Sequence, residues 1–181
     1  MNSKKRIITG ILASAFAVAP MTGLSAKAMV LPEEVTGTRY SEPVQILAAL
    51  KIMVGDDDGA FRLEDNLKRS EVAKMAIHAL GLEDAAASAK GETKYPDVSA
   101  DHWANGYINL ATSQGLIIGD DVGTFRPDDN VLLQEAVTIM VRALGYEPRA
   151  AASGGYPTGY MVVASSIQML KGITAKGAEP A

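Results

Sequence analysis

Gly55-Asp56-Asp57-Asp58-Gly59-Ala60-Phe61-Arg62 returns 64 residues later as Gly119-Asp120-Asp121-Val122-Gly123-Thr124-Phe125-Arg126, without a gap. The register holds onward through Asp65-Asn66 against Asp129-Asn130, Glu71 against Glu135, and Ala79-Leu80-Gly81 against Ala143-Leu144-Gly145. Other apolar positions exchange one hydrophobe for another, as in Val44/Ile108, Ile46/Leu110, Met53/Ile117 and Met75/Ile139. Self-similarity at a fixed period is one supersecondary unit used more than once. It points to a binding or assembly surface before it points to an active site.

Around the duplicated loop, each unit reads as helix, glycine-rich loop, helix. Val72, Met75, Ala76, Ala79 and Leu80 fall at helical spacing, as do Ala136, Ile139, Met140, Ala143 and Leu144. That spacing predicts one apolar stripe on an amphipathic second helix. Gly81 and Gly145 then stand where a helix commonly ends in the left-handed conformation. The first helix begins near Ser41 in one copy and Ala104 in the other, with Val44, Leu47 and Ala48 matched by Ile108, Ala111 and Thr112 as its buried positions. Phe61 and Phe125, lone aromatics among glycines and charges, are expected to pin the loop into the core.

Segments 83–94 and 147–155, rich in small and polar residues, read as mobile linkers. Beyond them a third unit opens at Tyr156-Pro157-Thr158-Gly159-Tyr160. Its offset from the second is 53, matching Tyr160 with Tyr107, Ala164 with Ala111 and Gly172 with Gly119. The expected organisation is therefore repeat one over 29–82, repeat two over 95–146 and an incomplete third over 156–181. That third unit has a first helix, Tyr160 to Leu170, and no second. The apolar faces of an unfinished bundle predict self-association or completion by another chain.

Residues 1–28 read as a secretory signal peptide. Lys4-Lys5-Arg6 is the basic start, Ile7 to Ala19 a short apolar run, and Ala26-Lys27-Ala28 a small-x-small cleavage site. The run is shorter than the roughly 20 residues a spanning helix needs. Cleavage would remove four of the 17 basic residues and none of the 21 acidic ones, leaving 13 against 21, a net charge of −8. An acidic chain argues against nucleic acid, whose binding rests on phosphate neutralisation. With no cysteine there are no disulfides and no cysteine-ligated metal.

Tyr95-Pro96-Asp97-Val98, Asp101-His102-Trp103-Ala104, Tyr107-Ile108 and the series from Gly119 to Pro127 together resemble the S-layer homology (SLH) domain. The resemblance covers all of repeat two, repeat one from its first helix, and the start of a third. It implies an all-α fold of helix-loop-helix repeats around a shared helical bundle, with grooves between lobes. It further implies a secreted protein held non-covalently at the cell wall through secondary cell-wall polysaccharide, which often bears pyruvate ketals. Two alternatives are a surface-layer assembly unit without glycan binding, and the anchor of a longer wall enzyme.

In many family members the groove uses the loop glycine and an arginine in a Thr-Arg-Ala-Glu tetrapeptide. Arginine pairs a carboxylate through two parallel hydrogen bonds, and a helix start adds free N–H groups. Here the tetrapeptide reads Lys68-Arg69-Ser70-Glu71 in repeat one and Leu132-Leu133-Gln134-Glu135 in repeat two, so only Arg69 is kept. The candidate ligand residues are Arg69, Gly55, Asp56, Gly119, Asp120 and Trp103. The plainer readings are a solvated pair of Arg69 with Glu64 or Asp65, and a core anchor for Trp103. Arg62 and Arg126 read as ties for the loop. Both copies lack the Thr of a capping box, and Asn66 or Asn130 is expected to cap instead. A calcium loop fits poorly, because Val54 falls at its first ligand position and Asp65 at its twelfth. His78 and His102 have no nucleophile beside them, so no enzyme active site, cofactor or metal is read.

Overall fold

The computed structural model describes residues 32–56, 58–174, 177, 180 and 181. The signal-peptide segment lies outside them. Among the described residues the fold is all-α: α1 (Ser41–Ala49), α2 (Arg69–Ala79), α3 (Glu83–Ser88), α4 (Asn105–Ser113), α5 (Leu133–Ala143), α6 (Glu147–Ala152) and α7 (Thr158–Ser166). Gly81 and Gly145 take φ of +66° and +76° just past α2 and α5, which ends both helices as the sequence predicts. None of these helices is long and apolar enough to cross a membrane.

The two helices of one repeat do not pack on each other. Instead α2 packs on α4 and α5 on α7, so the second helix of each repeat docks on the first helix of the next. Contacts between α2 and α5 join the two lobes at the centre. By contrast, α1 packs on no other helix among the described residues.

This arrangement explains why a single stripe per second helix is too simple. Helix α5 serves two cores: Ala136 and Ile139 join one cluster with Ile77, Ile108 and Phe125. Leu133, Val137 and Val141, one helical step round, join another with Tyr160, Val163 and Ala164. Met140 and Leu144, expected inside, stand exposed between them. In α2 the buried set is Arg69, Ser70, Val72, Ala73 and Ile77, while Leu80 is exposed.

The segments expected as mobile linkers carry α3 and α6 instead. Each short helix packs its end against a first helix so tightly that only glycine fits there. A Cβ on Gly106 would come within 2.0 Å of the Ala86 carbonyl oxygen, and one on Gly159 within 2.0 Å of that of Ala150. Small, polar composition suits a loop, yet small residues are also what a close helix contact requires. The third unit repeats the second's geometry at the offset of 53. Lys51, Gly115 and Gln168, each just past a first helix, all adopt the left-handed conformation with φ of 58°, 70° and 61°.

A closed ring of three backbone hydrogen bonds ties the units together. Leu67 N–H donates to the Ala181 carbonyl at 3.0 Å, Val131 N–H to that of Leu67 at 2.8 Å, and Ala181 N–H to that of Val131 at 2.9 Å. One residue from each unit thus stands in an equivalent place. Position 67 plus 64 gives 131, so the sequence repeat is also a spatial one.

Candidate functional site

The duplicated loop is closed by its own acid. Asp56 accepts from the amides of Asp58 and Ala60, and Arg62 Nε lies 3.5 Å from its second oxygen. Asp120 accepts from the amides of Val122 and Thr124 and from the Thr124 hydroxyl, with Arg126 Nε at 3.3 Å. The Thr124 hydroxyl and amide, then the Val122 amide and Arg126, hold the Asp120 carboxyl below its ordinary value of 3.8. Gly55 and Gly119 are required by the same closure. A Cβ on Gly55 would meet the Gly59 carbonyl at 2.7 Å, and one on Gly119 the Tyr95 ring at 2.5 Å.

Arg62 and Arg126 both have left-handed backbones, with φ of 46° and 58°, a conformation few arginines adopt. Ion pairs hold them there. Arg62 reaches Asp56, Asp65 and Glu71, and Arg126 reaches Asp120, Asp129 and Glu135. Each glutamate also accepts the N-cap amide of its helix, Lys68 to Glu71 and Leu132 to Glu135, at 2.8 Å. Only that half of a capping box exists, since neither a lysine nor a leucine side chain can accept a bond in return.

Arg69 does not sit with the loop of its own repeat. It is 5 % exposed and crosses into repeat two. Its Nε donates to the Phe125 carbonyl at 2.8 Å and its Nη1 to Glu135 Oε1 at 2.9 Å, with the guanidinium 5.2 Å from the Phe125 ring centre. The backbone follows: Arg69 N–H donates to the Asp129 carbonyl and Ser70 N–H to that of Pro127. The start of α2 is therefore capped by the loop of the next repeat, not by Asn66, and Arg69 pairs with neither Glu64 nor Asp65.

Two pseudo-equivalent grooves result. Groove one, about 850 Å³, is lined by Gly55, Asp56, Arg62, Glu71, Lys74 and Trp103 among others. Groove two, about 350 Å³, is lined by Gly119, Asp120, Arg126, Glu135, Arg142 and Tyr156, with Arg69 beside them. The candidate residues therefore divide, with Gly55, Asp56 and Trp103 on one groove and Arg69, Gly119 and Asp120 on the other. Trp103 is 48 % exposed, contrary to the core-anchor reading. Its ring stacks on His102, and Lys74 Nζ lies 5.9 Å from its centre. Leu133, at the place of the second arginine, is buried in the α5–α7 core.

Sequence reasoning missed two sets of residues. Asp97 accepts the amides of Phe125 and Arg126, and Glu34 accepts that of Phe61, so an acid before each first helix holds each loop. The acid-Val pair, Asp97-Val98 against Glu34-Val35, is the signal the sequence offers. Arg142 Nη1 donates to the Leu116 carbonyl and its Nε lies 3.3 Å from the Tyr160 hydroxyl. His78, 64 residues earlier, likewise meets the Lys51 carbonyl and the Tyr107 hydroxyl. This pair ties one repeat to the next, and Arg142 adds a third guanidinium to groove two.

The family model of the S-layer homology domain matches residues 35–73 and 94–137. The chain is 32 % identical over 172 residues to a "Middle cell wall protein" of Brevibacillus brevis, covering 94 % of this chain and 16 % of that one. It is 33 % identical over 135 residues to a "Cell surface protein" of Thermoanaerobacter kivui, covering 74 % and 17 %. It is also 31 % identical over 90 residues to a "Cellulosome-anchoring protein" of Acetivibrio thermocellus, covering 50 % and 20 %. The chain thus spans about a sixth to a fifth of the length of these relatives. Through segments 35–73 and 94–137 the chain belongs to the S-layer homology domain family, as a protein of the cell surface.

Proposed function

We propose that the chain is a non-covalent wall-anchoring module whose groove two receives an acidic substituent, such as a pyruvate ketal, on secondary cell-wall polysaccharide. The observation that carries this reading is the convergence of three guanidiniums on one groove, Arg69 and Arg126 both on Glu135 and Arg142 beside them on Glu147. Arg69 is already oriented by the Phe125 carbonyl and Glu135, so ligand binding costs little side-chain entropy. A ligand carboxylate would share the guanidiniums with Glu135 through charge-assisted hydrogen bonds. Tyr156 and Ile118, both more than half exposed at this groove, supply apolar surface for a sugar face.

Calorimetric titration with purified secondary wall polysaccharide, intact and with its pyruvate removed, tests the reading. Saturable binding to the intact polymer, lost with the acid, is the expected result. Equal binding to both polymers would place recognition elsewhere.

A second reading, assembly between copies, is favoured by α1. Ile46 and Leu50 lie one turn apart on it, are 51 % and 61 % exposed, and no other described helix covers them. Sedimentation across a concentration series separates a monomer from an assembly.

A further inference from the structure

We propose that Asn105-Gly106 is a spontaneous deamidation site that the folded chain holds closed, and that its reaction unclamps the segment supporting groove two. In an Asn-Gly pair the next backbone nitrogen reaches the side-chain carbon freely, because glycine has no side chain to obstruct the approach. The Gly106 nitrogen bonds to Asn105 Cγ, and the side-chain nitrogen leaves as ammonia with the proton from Gly106. A cyclic succinimide is left. Water then opens the ring to aspartate, or to isoaspartate with the main chain rerouted through the side chain. No oxidant, cofactor or enzyme enters the balance.

The structure blocks the first step. Asn105 is fully buried and is the first residue of α4. Its Nδ2 donates to the carbonyls of Gly91 at 3.1 Å and Ser99 at 3.0 Å. Its Oδ1 accepts from the Gly91 amide at 2.9 Å and from Asn109 Nδ2 at 3.3 Å. Both donors and both acceptor sites of the amide are thereby used. The side chain cannot turn onto the Gly106 nitrogen without breaking these bonds. Nor can a larger residue replace the glycine, since a Cβ at 106 would meet the Ala86 carbonyl. Gly159 meets Ala150 in the same way, yet Thr158 precedes it. The joint demands glycine, and the reactive amide is particular to repeat two.

That amide fastens both ends of segment 91–99. Between them stand Tyr95, its ring 5.4 Å from that of Phe125, and Asp97, which accepts the amides of Phe125 and Arg126. Arg126 in turn lines groove two. Deamidation to aspartate would set a buried carboxylate oxygen against two carbonyls, where an unpaired charge is strongly disfavoured. Isoaspartate would add a main-chain carbon at the start of α4. Either product keeps the clamp open, so a passing local opening becomes a one-way loss of support for the loop. None of this depends on what groove two binds.

The test incubates the whole protein at one mildly alkaline pH and temperature, folded in buffer and unfolded in guanidinium chloride. Aspartate and isoaspartate at 105 are separated by chromatography and placed by peptide fragmentation. Formation at least about tenfold faster in the unfolded sample is expected, because the folded site reacts only through opening. Equal rates overturn the protection. The deamidated protein is then returned to buffer and its amide hydrogen exchange followed by NMR. Faster exchange at Phe125 and Arg126, with Gly155 at the α6–α7 joint unchanged, or failure to refold, is the expected result. Exchange matching the parent at Phe125 and Arg126 overturns the clamp.

Discussion

Arg69 of the first repeat and Glu135 of the second are joined at 2.9 Å across a sequence separation of 66 residues, both largely buried. A motif that looks local in the sequence is therefore split in space: the arginine of one repeat completes the loop of the next. Removing Arg69 leaves Glu135 with Arg126 as its one remaining ion-pair partner and two helix amides on a disturbed loop. Breaking such a pair from one side costs about 3 kcal/mol. Arg69→Ala should show that loss in urea unfolding, and Arg69→Lys, which keeps the charge without the fork, should show less. Equal stability of Arg69→Ala and the parent would contradict the buried tie.

Ser70 offers the opposite case. Its hydroxyl is fully buried and has no hydrogen-bond partner among the described residues. Leaving a buried hydroxyl unpaired costs about 1–3 kcal/mol. Ser70→Ala should therefore leave stability unchanged or raise it by about 1 kcal/mol, seen as a higher thermal midpoint. A loss of that size instead would mean the hydroxyl has a partner.

Gly106 and Gly159 test the docking of the short helices. Alanine at either place would put a methyl on a backbone carbonyl that has no free end to move. Overpacking of that kind costs about 1–3 kcal/mol. Denaturant unfolding of Gly106→Ala and Gly159→Ala should each show a loss in that range. Parent-like curves would mean that α3 and α6 are not seated as described.

Much of this was legible in the sequence, and the misses share one cause. The duplicated loop, its turning glycines and the ends of α2 and α5 follow from local chemistry, and they lie where the spacing puts them. What failed depends on which repeat faces which. Helical spacing predicts one stripe with Met140 and Leu144 inside it, yet α5 has its cores at Ala136/Ile139 and at Leu133/Val137/Val141. Nearness in sequence points Arg69 to Glu64 or Asp65, and the partner is Glu135. The size of Trp103 suits a core anchor as well as a ligand contact, but α4 turns Ile108 and Ala111 inward and leaves the indole at groove one.

Acid should loosen the loop of repeat two through Asp120. Its folded carboxyl titrates below the ordinary 3.8, because the Thr124 hydroxyl and the loop amides bind the charged form. A carboxylate so depressed adds stability that is present above its unfolded value and lost as pH falls through its folded one. Between neutrality and about pH 5 its contribution should stay constant, and it should decline progressively below that. Carbon-detected NMR titration of Asp120 should give a midpoint under 3.8, and Asp120→Asn should flatten the acid limb of a stability-against-pH curve. An Asp120 midpoint at or above 3.8 would contradict the closed loop.

The most direct measurement is a pull-down of the protein on purified cell-wall sacculi, before and after the secondary polysaccharide is stripped, with Arg69→Lys alongside. The account predicts polymer-dependent retention, weakened at least tenfold in the folded Arg69→Lys protein, because the lysine cannot hold both the Phe125 carbonyl side and a ligand acid. Retention that survives stripping, or that is the same for parent and Arg69→Lys, would contradict a wall ligand held in groove two.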